Sequence, residues 1–573
     1  MRDTYDVIVV GGGINGLAPA AYMAKCGLKV AVFEARNEVG TNCDTEENMR
    51  PGVRCNLHAS ALLPWASPAY EHLELERFGY EPNMGGWGFI YPFKDGTAFL
   101  QHNYDTEKTY NAWKLLNKKD AETFRDMCNY FGKNDRLVNF MHQAFYTRPT
   151  PEALGKVAQI MEECPHVPKD WAEMTGYHVL DLMFDDERIK VGLISTMVEV
   201  GPDPWLKAIG PIGMITAVFN GPAIPMMSTP KGGSHLLPHS LYRSLLHYGG
   251  EVFQSCPVDK IIVENGVAKG VVLSEHSVYP GKKVMASKAV ISDLTVVPTF
   301  LWLVGEENLS PEVATAVRNY DYEGQVLFTN YYVLNEPLQF KAFDWTNKHV
   351  DPVIEKEMYL FNFGVETVKD SARLQYCYSR GELPDPPIVF GGCFRYTALD
   401  PTQAPPGMHT VLTWADVPYN IRRWGDRKLN GPGDWDAVRE EYADRVEDLL
   451  AEYAPNIKTA KVERYVHTPL DITRRNQSQL MGTWSGGPLH NNQWGMNRPF
   501  PGCGAPRTPI RNLYTTEVNY TRATWLMGGY AAADTVAEDL GVRNQPWWGK
   551  TRAMEPYMDY CKRNGLNFKL GGF

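Results

Sequence analysis

The residues best suited to chemistry stand at the start of the chain. Gly11-Gly12-Gly13-Ile14-Asn15-Gly16 is a G-x-G-x-x-G turn, and Glu34 follows eighteen residues after Gly16. This pattern fits an adenine dinucleotide. Gly11 permits a tight turn, Gly13 lets the backbone approach a pyrophosphate, and Gly16 lets a helix pack closely on a sheet. Glu34 can accept hydrogen bonds from an adenosine ribose. Its charge repels a 2′-phosphate, so the site disfavours NADP.

Such a turn works only between a strand and a helix. Asp6 to Val10 is a β-branched run expected to form a strand buried on both faces. Leu17 to Cys26 has helix-forming composition, Gly27 can end that helix, and Leu28 to Phe33 is a second apolar strand. The helix N-terminus then offers free N–H groups and partial positive charge to phosphates. A second group of elements begins at Lys231-Gly232-Gly233-Ser234. It comprises a helix over Leu236–His247, strands at 251–253, 258–263 and 270–273, and another strand at 288–293. Elsewhere, helices are expected over 120–131, 152–163 and 436–453, and strands over 390–394 and 410–414. The mixed charge of 436–453 suggests a solvated face. Residues 425–435 read as a surface connection.

The chain has 573 residues, enough for two domains or three. With 44% hydrophobic and 22% charged residues it is expected to be globular, and the net charge of −10 without a basic block argues against nucleic acid. None of the ten Cys forms a C-x-x-C pair, so no metal site is indicated and buried thiols of a reducing compartment are expected. The first strand starts within a few residues of Met1, leaving no room for a signal peptide, so a cytoplasmic location is expected. Ala208 to Pro230 carries no charge, yet Pro211, Pro222, Pro225 and Pro230 break it as a spanning helix. It is expected to line an apolar cavity or to dip into a bilayer, with peripheral contact on the inner membrane face. Trp547-Trp548 and the basic residues after Val542 are expected to pack over the parent domain, with a membrane or a second subunit, as in a homodimer, as alternatives.

Glu34-Ala35-Arg36, Gly40, Thr45-Glu46, Pro51-Gly52 and His58, taken in order, resemble the phytoene-desaturase-like branch of the flavin amine-oxidase superfamily. The resemblance continues through Gly232-Gly233-Ser234, Val258, Ala289-Val290-Ile291-Ser292-Asp293, the loop 400–409 and Thr508 to Tyr514. It departs at Thr41-Asn42, where relatives have Gly and Arg, at Asp293, where Asn is commoner, and between Thr515 and Tyr530. The resemblance implies an α/β fold: a Rossmann-like FAD-binding domain of amine-oxidase type with an inserted α+β substrate domain. Residues 1–100, 228–300 and 480–545 form the discontinuous cofactor domain. Residues 101–227 and 301–479 form the substrate domain, and 546–573 a C-terminal extension. FAD contacts are implied at Gly11, Gly13, Ile14, Asn15, Gly16, Glu34, Ala35, Arg36, Gly40, Thr41, Val258, Ser292, Glu517 and Gly528.

The implied reaction is oxidation of a carbon–carbon bond in a lipophilic isoprenoid or alicyclic substrate, by hydride transfer to flavin N5. The electron acceptor stays open among oxygen, a quinone and an electron-transfer protein. Glu517, His58, Tyr520 and Arg522 are the catalytic candidates: Glu517 as a base or cofactor ligand, His58 in proton transfer or a structural bond, Arg522 as an anchor for a substrate carboxylate. The alternatives are a flavin amine oxidase, a flavin-dependent double-bond isomerase, and a binding protein like the GDP-dissociation inhibitors, which share the fold without flavin.

Overall fold

The computed structural model describes residues 1–200, 204–205, 227–324, 326–490, 492–504, 506–517 and 526–569. Two seven-stranded sheets organise them. In the first sheet, β1 (Thr4–Val10) lies between β2 (Val30–Phe33) and the strand Lys283–Ser292, all parallel. Glu251–Phe253 extends it beyond β2, and Leu513–Thr515 pairs in parallel with Val290–Ser292. An antiparallel meander, Val258–Glu264 and Val267–Leu273, joins the other half of Lys283–Ser292.

The side-chain period of two explains β1. Val7 and Val9 enter the core with α1 (Ile14–Lys25), while Ile8 and Val10 enter a separate core with Val271 and Val284 of the meander side. α1 is buried between the helices Leu236–His247 and Met527–Asp539. Pro19 has no N–H to give the carbonyl of Asn15. Gly529 packs there instead: a Cβ on it would lie 2.8 Å from that carbonyl oxygen.

The second sheet runs in the order Lys461–His467, Leu327–Leu334, His409–Asp416, Val389–Arg395, Leu360–Phe363, Trp87–Pro92, Ala98–His102. Tyr331 and Val333 face the first domain, whereas Phe328, Tyr332 and Leu334 pack with the helix Trp435–Tyr453. Residues 87–100 were expected in the cofactor domain. Their alternating Phe89 and Tyr91 against Trp87 and Ile90 place them at the edge of this second sheet instead. The helix Trp435–Tyr453 is also less solvated than its charges suggest, since Trp435, Val438, Tyr442, Val446 and Leu450 are buried. Even its buried Glu447 is neutralised by Lys458 (3.0 Å) and Lys461 (2.6 Å). Within 182–188 one helix ends at Met183 and a helix starts at Glu187.

The tail packs on its parent domain. Trp548 is buried, its ring 4.9 Å from that of Tyr22, and Tyr557 of the helix Glu555–Arg563 meets Trp65 at 5.3 Å. Most of the uncharged stretch, 206–226, lies outside the described residues; its end, Thr229–Pro230, pairs with Pro82–Asn83. Among the described residues no helix is long and apolar enough to cross a membrane.

Candidate functional site

Four parallel strands end level. Val10 pairs with Phe33 and with Ser292, and Ser292 pairs with Thr515. The residues that leave these ends, Gly11, Glu34, Asp293 and Thr516, therefore emerge on one edge of the sheet, where ligands of open α/β folds bind. A cavity of about 570 Å³ opens there, lined by Gly11, Gly13, Ile14, Asn15, Glu34, Ala35, Arg36, Gly40, Thr41, Val258 and Asp293 among others.

The glycines are required sterically. Gly11 turns with φ +98°, and its N–H reaches the Phe33 carbonyl at 2.9 Å. A Cβ on Gly13 would lie 2.5 Å from the Asp293 carboxylate, and one on Gly16 only 2.3 Å from the Gly11 carbonyl oxygen. The second contact is with backbone, which cannot swing aside. Gly13 is also the N-cap of α1 and offers no side-chain acceptor to that helix end, where the Gly16 N–H is taken by the Gly13 carbonyl at 3.1 Å. Asp293 accepts from the Thr516 hydroxyl at 2.7 Å, tying two strand ends together.

The Glu34 carboxylate accepts the N–H groups of Gly12 (2.7 Å) and Arg36 (2.8 Å). Burial pushes its pKa up, and those two N–H groups partly offset this. Beside it lies an ionic cluster. Arg36 reaches Glu46 at 3.2 Å, and Arg475 pairs with both Glu46 and Asp44. Burial pushes the Asp44 carboxyl up to about 6 despite Arg475.

Arg475 belongs to a wall that sequence reasoning missed. Residues 474–479 come from the second domain and cover the cavity. Ser478 accepts the Thr295 N–H at 2.9 Å, and Asn476 donates to Asn42 at 3.3 Å. The available signal was the Arg474-Arg475 pair running into Asn476-Gln477-Ser478-Gln479, a polar run too short to form a core element.

Four expected contacts sit behind the cavity rather than in its lining. Gly16 packs on the glycine-rich turn. The Ser292 hydroxyl is shared with Thr299 at 2.8 Å. Gly528 lies against the Thr516 carbonyl, where a Cβ would come within 2.4 Å, and the next residue, Gly529, donates its N–H to the Asn15 side chain at 2.9 Å. Glu517 is fully enclosed and ion-paired with Arg498 at 3.1 Å, and Arg498 also donates to the Ser485 carbonyl at 3.0 Å. Arg498 is the second residue missed; nothing near Asn497-Arg498-Pro499 in the sequence links it to Glu517. Glu517, expected as a base or as a cofactor ligand, is thus ion-paired with Arg498 and stands outside the cavity lining.

His58 is buried and stacks on His467, ring centres 5.3 Å apart. Burial holds the His58 imidazole well below its ordinary pKa and lowers that of His467 to about 4, so both rings are neutral. Neither lines the cavity. Tyr520 and Arg522 lie outside the described residues.

NAD(P)-binding Rossmann-like domains match residues 9–74. A limonene dehydrogenase chain of Castellaniella defragrans is 29% identical, over 95% of this chain and 96% of its own. A 4,4′-diaponeurosporene oxygenase of Staphylococcus aureus is 23% identical, over 73% of this chain and 76% of its own. Among solved structures, cyclohexylamine oxidase of Brevibacterium oxydans has the same fold at TM-score 0.52, with 14% identity, covering 94% of this chain and 99% of its own.

Proposed function

As a member of the phytoene-desaturase-like branch of the flavin amine-oxidase superfamily, the chain is, we propose, an FAD-dependent dehydrogenase that desaturates a carbon–carbon bond of a lipophilic isoprenoid or alicyclic substrate. One observation carries the cofactor: four level strand ends open onto a glycine-floored cavity beside an uncapped helix N-terminus. The residues fit the group. Gly11 and Gly13 line the cavity without side chains, α1 turns its N-terminus to it, and Glu34 faces the same cavity with lone pairs for ribose hydroxyls.

Bound there, FAD supplies a two-electron hydride acceptor. The chain positions it. Arg498 is ion-paired with Glu517, and the pair ties down the backbone beyond Thr515. Thr516 and Asp293 lock two strand ends together beside the cavity. The substrate class is supported by the near end-to-end similarity to a protein named limonene dehydrogenase.

The test is colour. The purified full-length chain should be yellow, and without air its flavin should bleach with monocyclic terpenes or alicyclic ketones but not with primary amines. Bleaching by amines alone would move the chain to the amine oxidases. Terpene rearrangement without bleaching would make it an isomerase, and a colourless protein that takes up no FAD would remove the oxidoreductase reading.

A further inference from the structure

We propose that Trp302 stacks on the adenine of the bound dinucleotide and so determines that this chain retains FAD through its nucleotide end. The inference rests on the FAD reading above and names a residue that the sequence pattern does not single out.

Trp302 lies in Pro298–Val304, a π-helical turn after the strand Lys283–Ser292. Such turns are rare and recur at functional sites. Its neighbours Phe300, Leu303 and Val304 are buried, but the Trp302 side chain is 51% exposed, one of few large apolar groups left so open. The uncovered ring is part of the cavity wall, together with Pro257, Val258 and His276. The turn packs against the strand Val258–Glu264, which brings Trp302 to that wall.

The position identifies what the indole meets. The Cys256 N–H donates to the Glu34 carbonyl at 2.8 Å, so Pro257 and Val258 lie next to the residue whose carboxylate suits the ribose. In an FAD held by its pyrophosphate at α1, the group joined to that ribose is adenine, and the isoalloxazine lies beyond the other phosphate. A purine is flat and apolar on its faces, and it stacks on an indole without needing a hydrogen-bond partner.

Flavin-stripped full-length protein, titrated in turn with FAD, ADP and FMN, tests this. Trp302→Ala should weaken FAD and ADP together by roughly 5- to 100-fold, the range of one aromatic–base stack. FMN, which has no adenine, should bind wild type and variant alike. Trp302→Phe should restore most of the FAD and ADP affinity, and because the side chain is half exposed both variants should melt near wild type. FAD affinity unchanged in Trp302→Ala, or an equal loss for FMN, would overturn the stacking assignment while leaving the FAD reading in place. Wild-type protein that binds neither FAD nor ADP would overturn both.

Discussion

Glu34 and Glu517 both follow parallel strands of the first sheet, and both are buried, yet their surroundings differ in kind. Glu34 is held by two neutral donors, the backbone N–H groups of Gly12 and Arg36, while the Arg36 guanidinium turns to Glu46. It borders the cavity with lone pairs to spare. Glu517 is sealed off and carries a buried guanidinium as its partner. A carboxylate satisfied by backbone N–H groups stays available to a ligand, whereas one matched to a buried cation is committed to the fold. Topological position alone does not separate the two roles.

The widest separation is expected from Arg498→Met. It takes away the buried guanidinium that faces the Glu517 carboxylate, and breaking such a pair costs about 3–5 kcal/mol, read from urea unfolding. Replacing both partners, Arg498→Met with Glu517→Leu, should recover more than half of that loss, because two apolar side chains remove both charges. A normal unfolding midpoint for Arg498→Met would break the contrast. So would a Glu517→Gln protein that keeps its flavin but is no longer reduced by substrate, since Glu517 would then be acting as the base.

Glu34→Gln should leave the fold intact but weaken FAD roughly 10- to 100-fold, the loss of charge-assisted bonds worth about 1.5–3 kcal/mol. Titration of flavin-stripped protein measures it. An unchanged affinity would mean that Gly12 and Arg36 use the whole carboxylate, making Glu34 as structural as Glu517.

The cofactor half of the molecule was legible because its determinants are local. Gly11 to Glu34 specify strand, turn, helix and strand within one short run, and α1 and β2 lie within a few residues of their expected ends. The segment 231–293 was equally readable, with Leu236–His247 at its expected bounds. What escaped depends on distant pairings. Arg498 meets Glu517 across a loop, Arg475 reaches Asp44 from the second domain, and strands 87–102 join a sheet whose other members come after residue 326. No period of two or 3.6 records such partners. The charges of Trp435–Tyr453 misled for a related reason: Glu447 is buried because Lys458 and Lys461 arrive from the next elements.

A third carboxylate, Asp44, lies between the two cases and sharpens the contrast by pH. Like Glu517 it pairs with an arginine, Arg475, yet burial still pushes its carboxyl up to about 6. An unfolded Asp titrates near 4, so the folded state binds this proton more tightly. The stability that follows is complete below about pH 4 and is lost as pH rises through 6. Between pH 5 and pH 7 the loss should be about 1 kcal/mol. Asp44→Asn carries no titrating proton and should lack that part of the fall, as compared by urea midpoints of both proteins at the two pH values. Equal falls would mean that Arg475 keeps Asp44 ionised across this range. A smaller fall in the variant would show that a single cation, Arg475, shared with Glu46, is too little to hold a buried carboxylate charged, and that the close matching at Arg498 is what commits Glu517 to the fold.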